Sequence, residues 1–228
     1  MYAQMKHSLK SVFITATNVL QRKTILYFLK EVRYNFQHSV LAKGDFFMVN
    51  IAIVGATGVV GTKMIERLEE SNLQVDHLYL LASARSAGKV LQFRGKEYVV
   101  EELTEDSFKR DIDYAIFSAG GGTSLKFAPI AERDGVIVID NSSAWRMDPE
   151  IDLVVPECNA PTLERKIIAN PNCSTIQSVV PLRPLHDAFG LKRVAYTTYQ
   201  AVSGSGQAGI NDLRNGEKGE APTNYPHP

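Results

Sequence analysis

The stretch Ile51-Ala52-Ile53-Val54-Gly55-Ala56-Thr57-Gly58-Val59-Val60-Gly61 decides the fold. Its first four residues are apolar without a break and stop at a glycine, which reads as a strand buried on both faces and so as part of a parallel sheet. Residues 59 to 70 then set Val60, Met64 and Leu68 four apart with Ile65 beside them, and place Lys63, Glu66, Arg67, Glu69 and Glu70 largely opposite. That spacing predicts an amphipathic helix. Gly55, Gly58 and Gly61 thus fall between a strand and a helix. There, glycines permit a tight turn, a close approach of backbone to a pyrophosphate, and close helix packing, while the first helical N–H groups face the anion. Thr57, Val59 and Val60 share the turn and are candidate cofactor contacts with the three glycines. The other reading is a plain connection.

Working outward, His77 to Ala82 reads as a second strand and closes a βαβ unit. Val90 to Phe93 and Tyr98 to Val100 flank Arg94-Gly95-Lys96 as a hairpin added to the sheet. Tyr114 to Ser118 is a strand, Leu125 to Arg133 a helix ending near Gly135, and Val136 to Asp140 a further strand. Leu153 to Val155 and Ile167 to Ala169 are shorter strand candidates. A helix is expected from Cys173 to about Phe189, with Pro181 and Pro184 predicting a kink or break. Arg193 to Gln200 alternates as a strand would, at the entry to a second domain. The fold class is α/β: a Rossmann-type doubly wound parallel sheet over residues 48–172, then the start of an α+β catalytic or dimerisation domain over 173–228.

The cofactor ribose is expected at the end of the second strand, where an acid marks NAD and basic or small polar groups mark NADP. Ser83-Ala84-Arg85-Ser86-Ala87-Gly88-Lys89 holds no acid, and Asp76 precedes the predicted strand. Arg85 suits a 2′-phosphate, with Ser83 and Ser86 as neutral donors; the alternative is that Arg85 and Lys89 are solvated loop charges. Ser118-Ala119-Gly120-Gly121-Gly122 also follows a strand, so Ala119 and Gly120 are expected at the same sheet edge. A bare flexible turn is the competing reading there.

Composition sets the outer limits. Twenty-five basic and 25 acidic residues cancel, which gives no argument for nucleic acid or an anionic membrane as partner. No apolar run is long enough to span a bilayer. Two cysteines, Cys158 and Cys173, are too few for a disulfide framework and fit a reducing, cytoplasmic setting. No metal site is expected. Residues 1–47 differ from the rest, with seven basic residues against Glu31 and Asp45. They read as a leader outside the fold ahead of Met48, or as an organelle transit peptide.

Asn170-Pro171-Asn172-Cys173-Ser174-Thr175 leaves a short strand and enters a helix with a thiol in its first turn. A helix N-terminus favours negative charge, and the thiolate is the nucleophilic form. Cys158, in Pro156-Glu157-Cys158-Asn159, reads instead as a small buried hydrophobe.

Together with the turn at Gly55 to Gly61, the segments Asn141-Ser142-Ser143-Ala144-Trp145-Arg146, Asn172-Cys173-Ser174-Thr175 and Gln200-Ala201-Val202-Ser203-Gly204 stand in an order that resembles aspartate-semialdehyde dehydrogenase, in its bacterial branch. The resemblance runs from Met48 to the end. It implies an NADP-dependent enzyme of lysine, threonine and methionine biosynthesis that forms a thioester on Cys173 between aspartyl phosphate and aspartate semialdehyde. By it, Asn172 and Gln200 assist at the acyl group, Arg146 binds phosphate with Asn141 and Ser142 beside it, and Ser203-Gly204 closes over the nicotinamide. Homodimers or homotetramers are expected of such enzymes.

The chain departs from that pattern in carrying neither the family's acid/base histidine nor its carboxylate-gripping arginine. On this reading the chain stops inside its second domain and binds NADP without turnover. Two other identities compete. An N-acetyl-glutamyl-phosphate reductase shares the glycine turn and the cysteine but has Pro-Gly before the thiol where this chain has Asn172. A non-catalytic dinucleotide-binding protein would keep only the first domain's function.

Overall fold

The computed structural model describes residues 48–225; the leader reading of residues 1–47 and the loop reading of Pro226 to Pro228 lie outside them. Among the described residues nine strands and four α-helices follow in order: β1 Val49–Val54, α1 Val59–Glu69, β2 Val75–Ala82, β3 Val90–Phe93, β4 Lys96–Val99, β5 Glu101–Glu102, β6 Tyr114–Phe117, α2 Gly121–Arg133, β7 Ile137–Asp140, β8 Asp152–Leu153, β9 Ile167–Ala169, α3 Cys173–Phe189 and α4 Gly206–Gly216. Seven strands form one sheet in the order β5-β2-β1-β6-β7-β9-β8, and every pairing in it is parallel. The doubly wound sheet expected from the sequence is therefore present. The order runs outward from β1 in both directions, to β2 on one side and β6 on the other, which opens a crevice at the carboxyl ends of these strands.

Alternation along β1 divides the core. Ala52 and Val54 face a cluster with Ala115, Phe117, Val138, Ala128 and Ala131. Ile51 and Ile53 face Met64, Ile65, Leu68 and Leu80 on the α1 side. Burying both faces is what makes this strand read as a continuous apolar run. Met64, Ile65 and Leu68 are the helix positions picked out by their spacing, and each full burial of such a side chain contributes about 1.5–3 kcal/mol.

Several expectations need correction. β3 and β4 pair antiparallel with each other in a separate two-stranded sheet; they do not extend the main sheet. The edge beside β2 is taken by β5, which the sequence did not reveal. The hairpin instead covers the α1 side, burying Phe93, with Val100 buried just after β4. Its turn has Arg94 at φ 49° and Gly95 at φ 74°, as a tight two-residue hairpin requires. Left-handed backbone at an arginine is offset by the contacts of its guanidinium. Nη2 donates to the carbonyls of Ser71 and Leu73, both at 2.9 Å, where α1 has just ended.

β2 starts at Val75, so Asp76 and His77 lie inside it at its exposed amino end. α2 begins four residues before the expected Leu125, with Gly120 at φ 86° as its N-cap. β8 is only Asp152–Leu153; Val154 and Val155 are buried just beyond it. Pro181 and Pro184 do not break α3, which runs unbroken from Cys173 to Phe189. Both prolines are exposed, and on an exposed helix water can serve the carbonyls that lose their helical donors. The strand expected at Arg193 to Gln200 is absent, and these residues are irregular and exposed. No strand among the described residues pairs with them, and a lone strand has no ladder to stabilise it.

Candidate functional site

The carboxyl ends of β2, β1, β6, β7 and β9 are neighbours in the sheet, so the segments picked out by the sequence leave one edge side by side. At β1, Gly55 has φ 89°, and a Cβ there would stand 2.6 Å from the Ser118 carbonyl oxygen. A Cβ on Gly61 would overlap the Gly55 carbonyl oxygen, while one on Gly58 would meet it at 3.3 Å. Gly55 and Gly61 thus serve the close packing of turn, helix and β6 loop. Gly58 is the N-cap of α1 and has no side-chain cap. The helix starts with the Thr62 N–H on the Gly58 carbonyl at 2.9 Å, so the N–H groups of Val59 and Val60 have no helical acceptor and are available to an anion. These features fit a dinucleotide pyrophosphate.

Across the crevice, Ser83 precedes a short 3-10 turn, Ala84–Ser86. The Thr57 hydroxyl donates to Ser86 Oγ at 3.1 Å, tying that turn to the glycine turn. Ser83, Arg85 and Ser86 therefore flank the phosphate-binding turn. Arg85 has no ion-pair partner among the described residues, and its surroundings hold no carboxylate of β2's carboxyl end. On the other flank, the Ala119-Gly120 segment reaches α2, whose Ser124 is fully buried and accepts the Trp145 Nε1–H at 2.8 Å.

Arg146 is the most informative side chain here. Its Nε donates to the Asn170 carbonyl at 2.9 Å and its Nη2 to the Asn141 carbonyl at 3.1 Å. The Asn170 amide donates in turn to the Asn141 side-chain oxygen. The surface ion pair with Asp148 or Glu150 that the spacing allows does not form; Glu150 pairs with Arg165. Of the five N–H donors of a guanidinium, the Nη1 pair and one on Nη2 have no protein acceptor among the described residues. Burial pushes Arg146 below its ordinary pKa, opposed by the charges of Asp140 and Cys173. A half-buried arginine held by two carbonyls, with an open edge and no carboxylate hydrogen-bonded to it among the described residues, can take an oxyanion.

Cys173 is exposed and opens α3. Asn172 is the N-cap, its side-chain oxygen accepting the Ser174 N–H at 3.0 Å, so it sets the helix start that presents the thiol. Strands β7 and β9 pair directly, which is why Arg146, after β7, and Cys173, after β9, share one corner. His186 lies 13 residues further along α3, about 20 Å away at 1.5 Å per residue. It lines a shallow cavity of about 190 Å³ with Cys158, Val179, Leu182, Arg183 and Leu191.

No hydrogen bond or ion pair among the described residues ties the remaining candidates to that corner. Gln200 is exposed and, among the described residues, its amide donates only to Thr198 Oγ1, at 3.4 Å. Ser203 and Gly204 belong to a 3-10 turn, Val202–Ser205, that leads into α4. Sequence reasoning missed what holds this turn. Asp212 of α4 accepts the N–H groups of Thr223, Asn224 and Tyr225, and the Tyr225 hydroxyl donates to Ser205 Oγ at 2.7 Å. It also missed Asp140, a fully buried carboxylate at the end of β7. The Asp-x-Ser spacing of Asp140 and Ser142 was the available signal; Asp212 has none nearby. Among the described residues no cluster of histidine, cysteine or carboxylates could hold a metal, and no helix is long and apolar enough to cross a membrane.

Known proteins are similar to this chain over both of its parts. A family model described as "Semialdehyde dehydrogenase, NAD binding domain" matches residues 50–166, and one described as "Semialdehyde dehydrogenase, dimerisation domain" matches residues 182–227. Aspartate-semialdehyde dehydrogenase of Aquifex aeolicus is 57% identical over 172 residues, covering 74% of this chain and 51% of that protein. A crystal structure of aspartate semialdehyde dehydrogenase II from Vibrio cholerae complexed with ASA aligns with a TM-score of 0.71 at 48% identity, over 78% of this chain and 55% of that one. The Candida albicans enzyme solved with NADP aligns with a TM-score of 0.55 at 25% identity, over 64% of this chain and 48% of that one. The chain spans about half the length of the curated relatives it matches.

Proposed function

The chain belongs to the semialdehyde dehydrogenase family, and from that membership we propose that it is the NADP-binding and acyl-accepting part of an aspartate-semialdehyde dehydrogenase. The observation that carries this reading is the corner where an exposed cysteine opens α3 beside an arginine with a free guanidinium edge. Residues 48–172 are assigned to the cofactor and residues from 173 onward to catalysis and self-association. The stretch matched as a dimerisation domain is the part assigned to contact a second subunit. Two free thiols suit a cytoplasmic setting.

Each residue then has a chemical task. In the biosynthetic direction the Cys173 sulfur attacks the acyl carbon of aspartyl phosphate, the carbon–oxygen bond to phosphate breaks, and a thioester remains. Arg146 takes the phosphate oxygens on its open edge, which lowers the cost of the charge that builds on the leaving group. Asn141 and Ser142 form the wall of that pocket. Asn172 fixes the first turn that carries the thiol, and Gln200 is assigned to the acyl group. NADPH, when bound, supplies the hydride that reduces the thioester. Gly55, Thr57, Gly58, Val59, Val60 and Gly61 would hold its pyrophosphate, Ser83, Arg85 and Ser86 would meet its 2′-phosphate, and Ala119, Gly120, Ser203 and Gly204 would border its remaining length. The preference for NADP rests on the acid-free turn after β2.

The experiment is acylation of the chain by aspartyl phosphate, read by intact mass and peptide mapping. A single adduct on Cys173, lost in Cys173→Ser and not formed by N-acetyl-glutamyl phosphate, is the expected result. Absence of the adduct, or its appearance on Cys158, would overturn the proposal.

A further inference from the structure

Asp140 ends β7 with a carboxylate shielded from solvent, and none of the tasks above uses it. A buried carboxylate persists when its oxygens are engaged. Here Oδ1 accepts the Ser142 N–H at 3.2 Å and Oδ2 the Ser142 hydroxyl at 2.6 Å. The same hydroxyl oxygen accepts the Ala144 N–H at 3.1 Å, so this one side chain fixes the run from Asn141 to Ala144. The main chain of Asp140 works on the other side, where its carbonyl oxygen accepts the Asn170 N–H at 2.8 Å. Asn141 and Asn170 are the residues whose carbonyls hold Arg146. Both supports of the guanidinium are therefore fastened to Asp140.

We propose that Asp140 is the positioning residue for Arg146: through Ser142 its carboxylate sets the Asn141 carbonyl, which with the Asn170 carbonyl held by the β7–β9 backbone ladder aims the free guanidinium edge at an oxyanion beside Cys173. The inference rests on the assignment of Arg146 to phosphate. A carboxylate suits the task better than an amide of the same shape. Its two oxygens accept from two donors without presenting an N–H of their own, and its charge offsets the burial of the cation. The Ser142 hydroxyl proton is directed at Asp140, so Ser142 acts through this strap and not as a donor to phosphate.

The test uses the whole 228-residue chain and inorganic phosphate as the probe. Cys173 is alkylated with iodoacetamide at constant ionic strength over a phosphate series, and the rate at Cys173 is read by peptide mass spectrometry. Phosphate held by Arg146 slows the reaction, and the concentration giving half protection reports its affinity. Asp140→Asn is expected to raise that concentration about tenfold while the rate without phosphate stays within about twofold. Ser142→Ala is expected to move it in the same direction, with the double variant no worse than the worse single one, because both act through one strap. Should Asp140→Asn fail to fold, Ser142→Ala decides alone, with its melting temperature as the control. Half protection unchanged in either folded variant, or additive effects, would overturn the inference. Arg146→Ala separates the two levels: protection surviving in it, or missing in the unaltered chain, removes the phosphate assignment and the inference together. Protection lost in Arg146→Ala but unchanged in the other variants removes only the role of Asp140.

Discussion

Gly61 lies so close to the carbonyl group of Gly55 that a Cβ on it would overlap the oxygen and stand 2.9 Å from the carbon. Gly55 sits at φ 89° and cannot easily yield, so a Gly61→Ala change must lever α1 away from β1. Overpacking of this kind costs about 1–3 kcal/mol. It also displaces the N–H groups at the helix start, and NADPH affinity is expected to fall tenfold or more in a fluorescence titration. Gly58→Ala is the milder change, since its Cβ would meet the same oxygen at 3.3 Å. Equal losses in the two variants would contradict the packing described.

The two thiols are expected to differ sharply in reactivity. Cys173 is exposed at a helix start, whereas Cys158 is half-buried, and burial, with the neighbouring Glu157 charge, pushes its thiol up. At pH 7.5 iodoacetamide should modify Cys173 at least tenfold faster than Cys158, measured by mapping both peptides over time. Comparable rates would remove the distinction on which the assignment of a nucleophile rests.

Legibility followed burial. β1 and β6 are buried on both faces and β7 is buried on one and half-buried on the other, and their apolar runs were plain in the sequence. Pairing partners were not. Whether Val90 to Phe93 joins the main sheet is decided by β5 occupying the edge, which no local pattern encodes. Arg193 to Gln200 shows the converse: alternation without a neighbouring strand leaves Tyr196 56% and Tyr199 94% exposed. At the site, the glycine turn, Cys173 and Arg146 were visible as residue types in order. Their juxtaposition depends on β9 pairing with β7 although β8 intervenes in the chain. The grip on Arg146 uses main-chain carbonyls, which every residue carries and no sequence advertises. Asp212 bonds residues 11 to 13 positions away, beyond the reach of helix or turn spacing.

Asp212 gives a pH signature to the segment beside Ser205. The Thr223 N–H, joined by those of Tyr225 and Asn224 and opposed by burial, lowers its pKa from 3.8 to about 2. A group depressed on folding contributes stability that is present above its unfolded value and lost as pH falls through its folded value. Amide resonances of Thr223 to Tyr225 should therefore hold their native positions at pH 4 and shift in a transition centred near pH 2 in NMR spectra. Asp212→Asn should abolish that transition and release the Tyr225 hydroxyl from Ser205 Oγ. A transition centred near pH 4 would mean that the three N–H bonds do not hold the carboxylate.

Glu132 of α2 joins the helix to the approach to β9 and so to the strand end that carries Cys173. Its Oε1 accepts Arg165 Nε at 2.9 Å and the Lys166 N–H at 2.8 Å, and its Oε2 accepts Arg165 Nη2 at 2.7 Å. The Arg165 hydrogen bond, assisted by the Lys166 N–H and opposed by burial, holds the Glu132 carboxyl below its ordinary pKa of 4.5. An exposed pair would contribute at most about 1 kcal/mol, but the forked geometry and added backbone bond place Glu132→Gln at about 1–2 kcal/mol. The sign again follows from a depressed carboxylate: the contribution is complete above the ordinary value and disappears as pH falls below it. Urea unfolding at pH 7 should therefore show Glu132→Gln less stable than the unaltered chain, with the gap narrowing steadily below about pH 4.5. A gap of constant size across that range would assign the loss to packing and leave the ion pair without a role in joining α2 to β9.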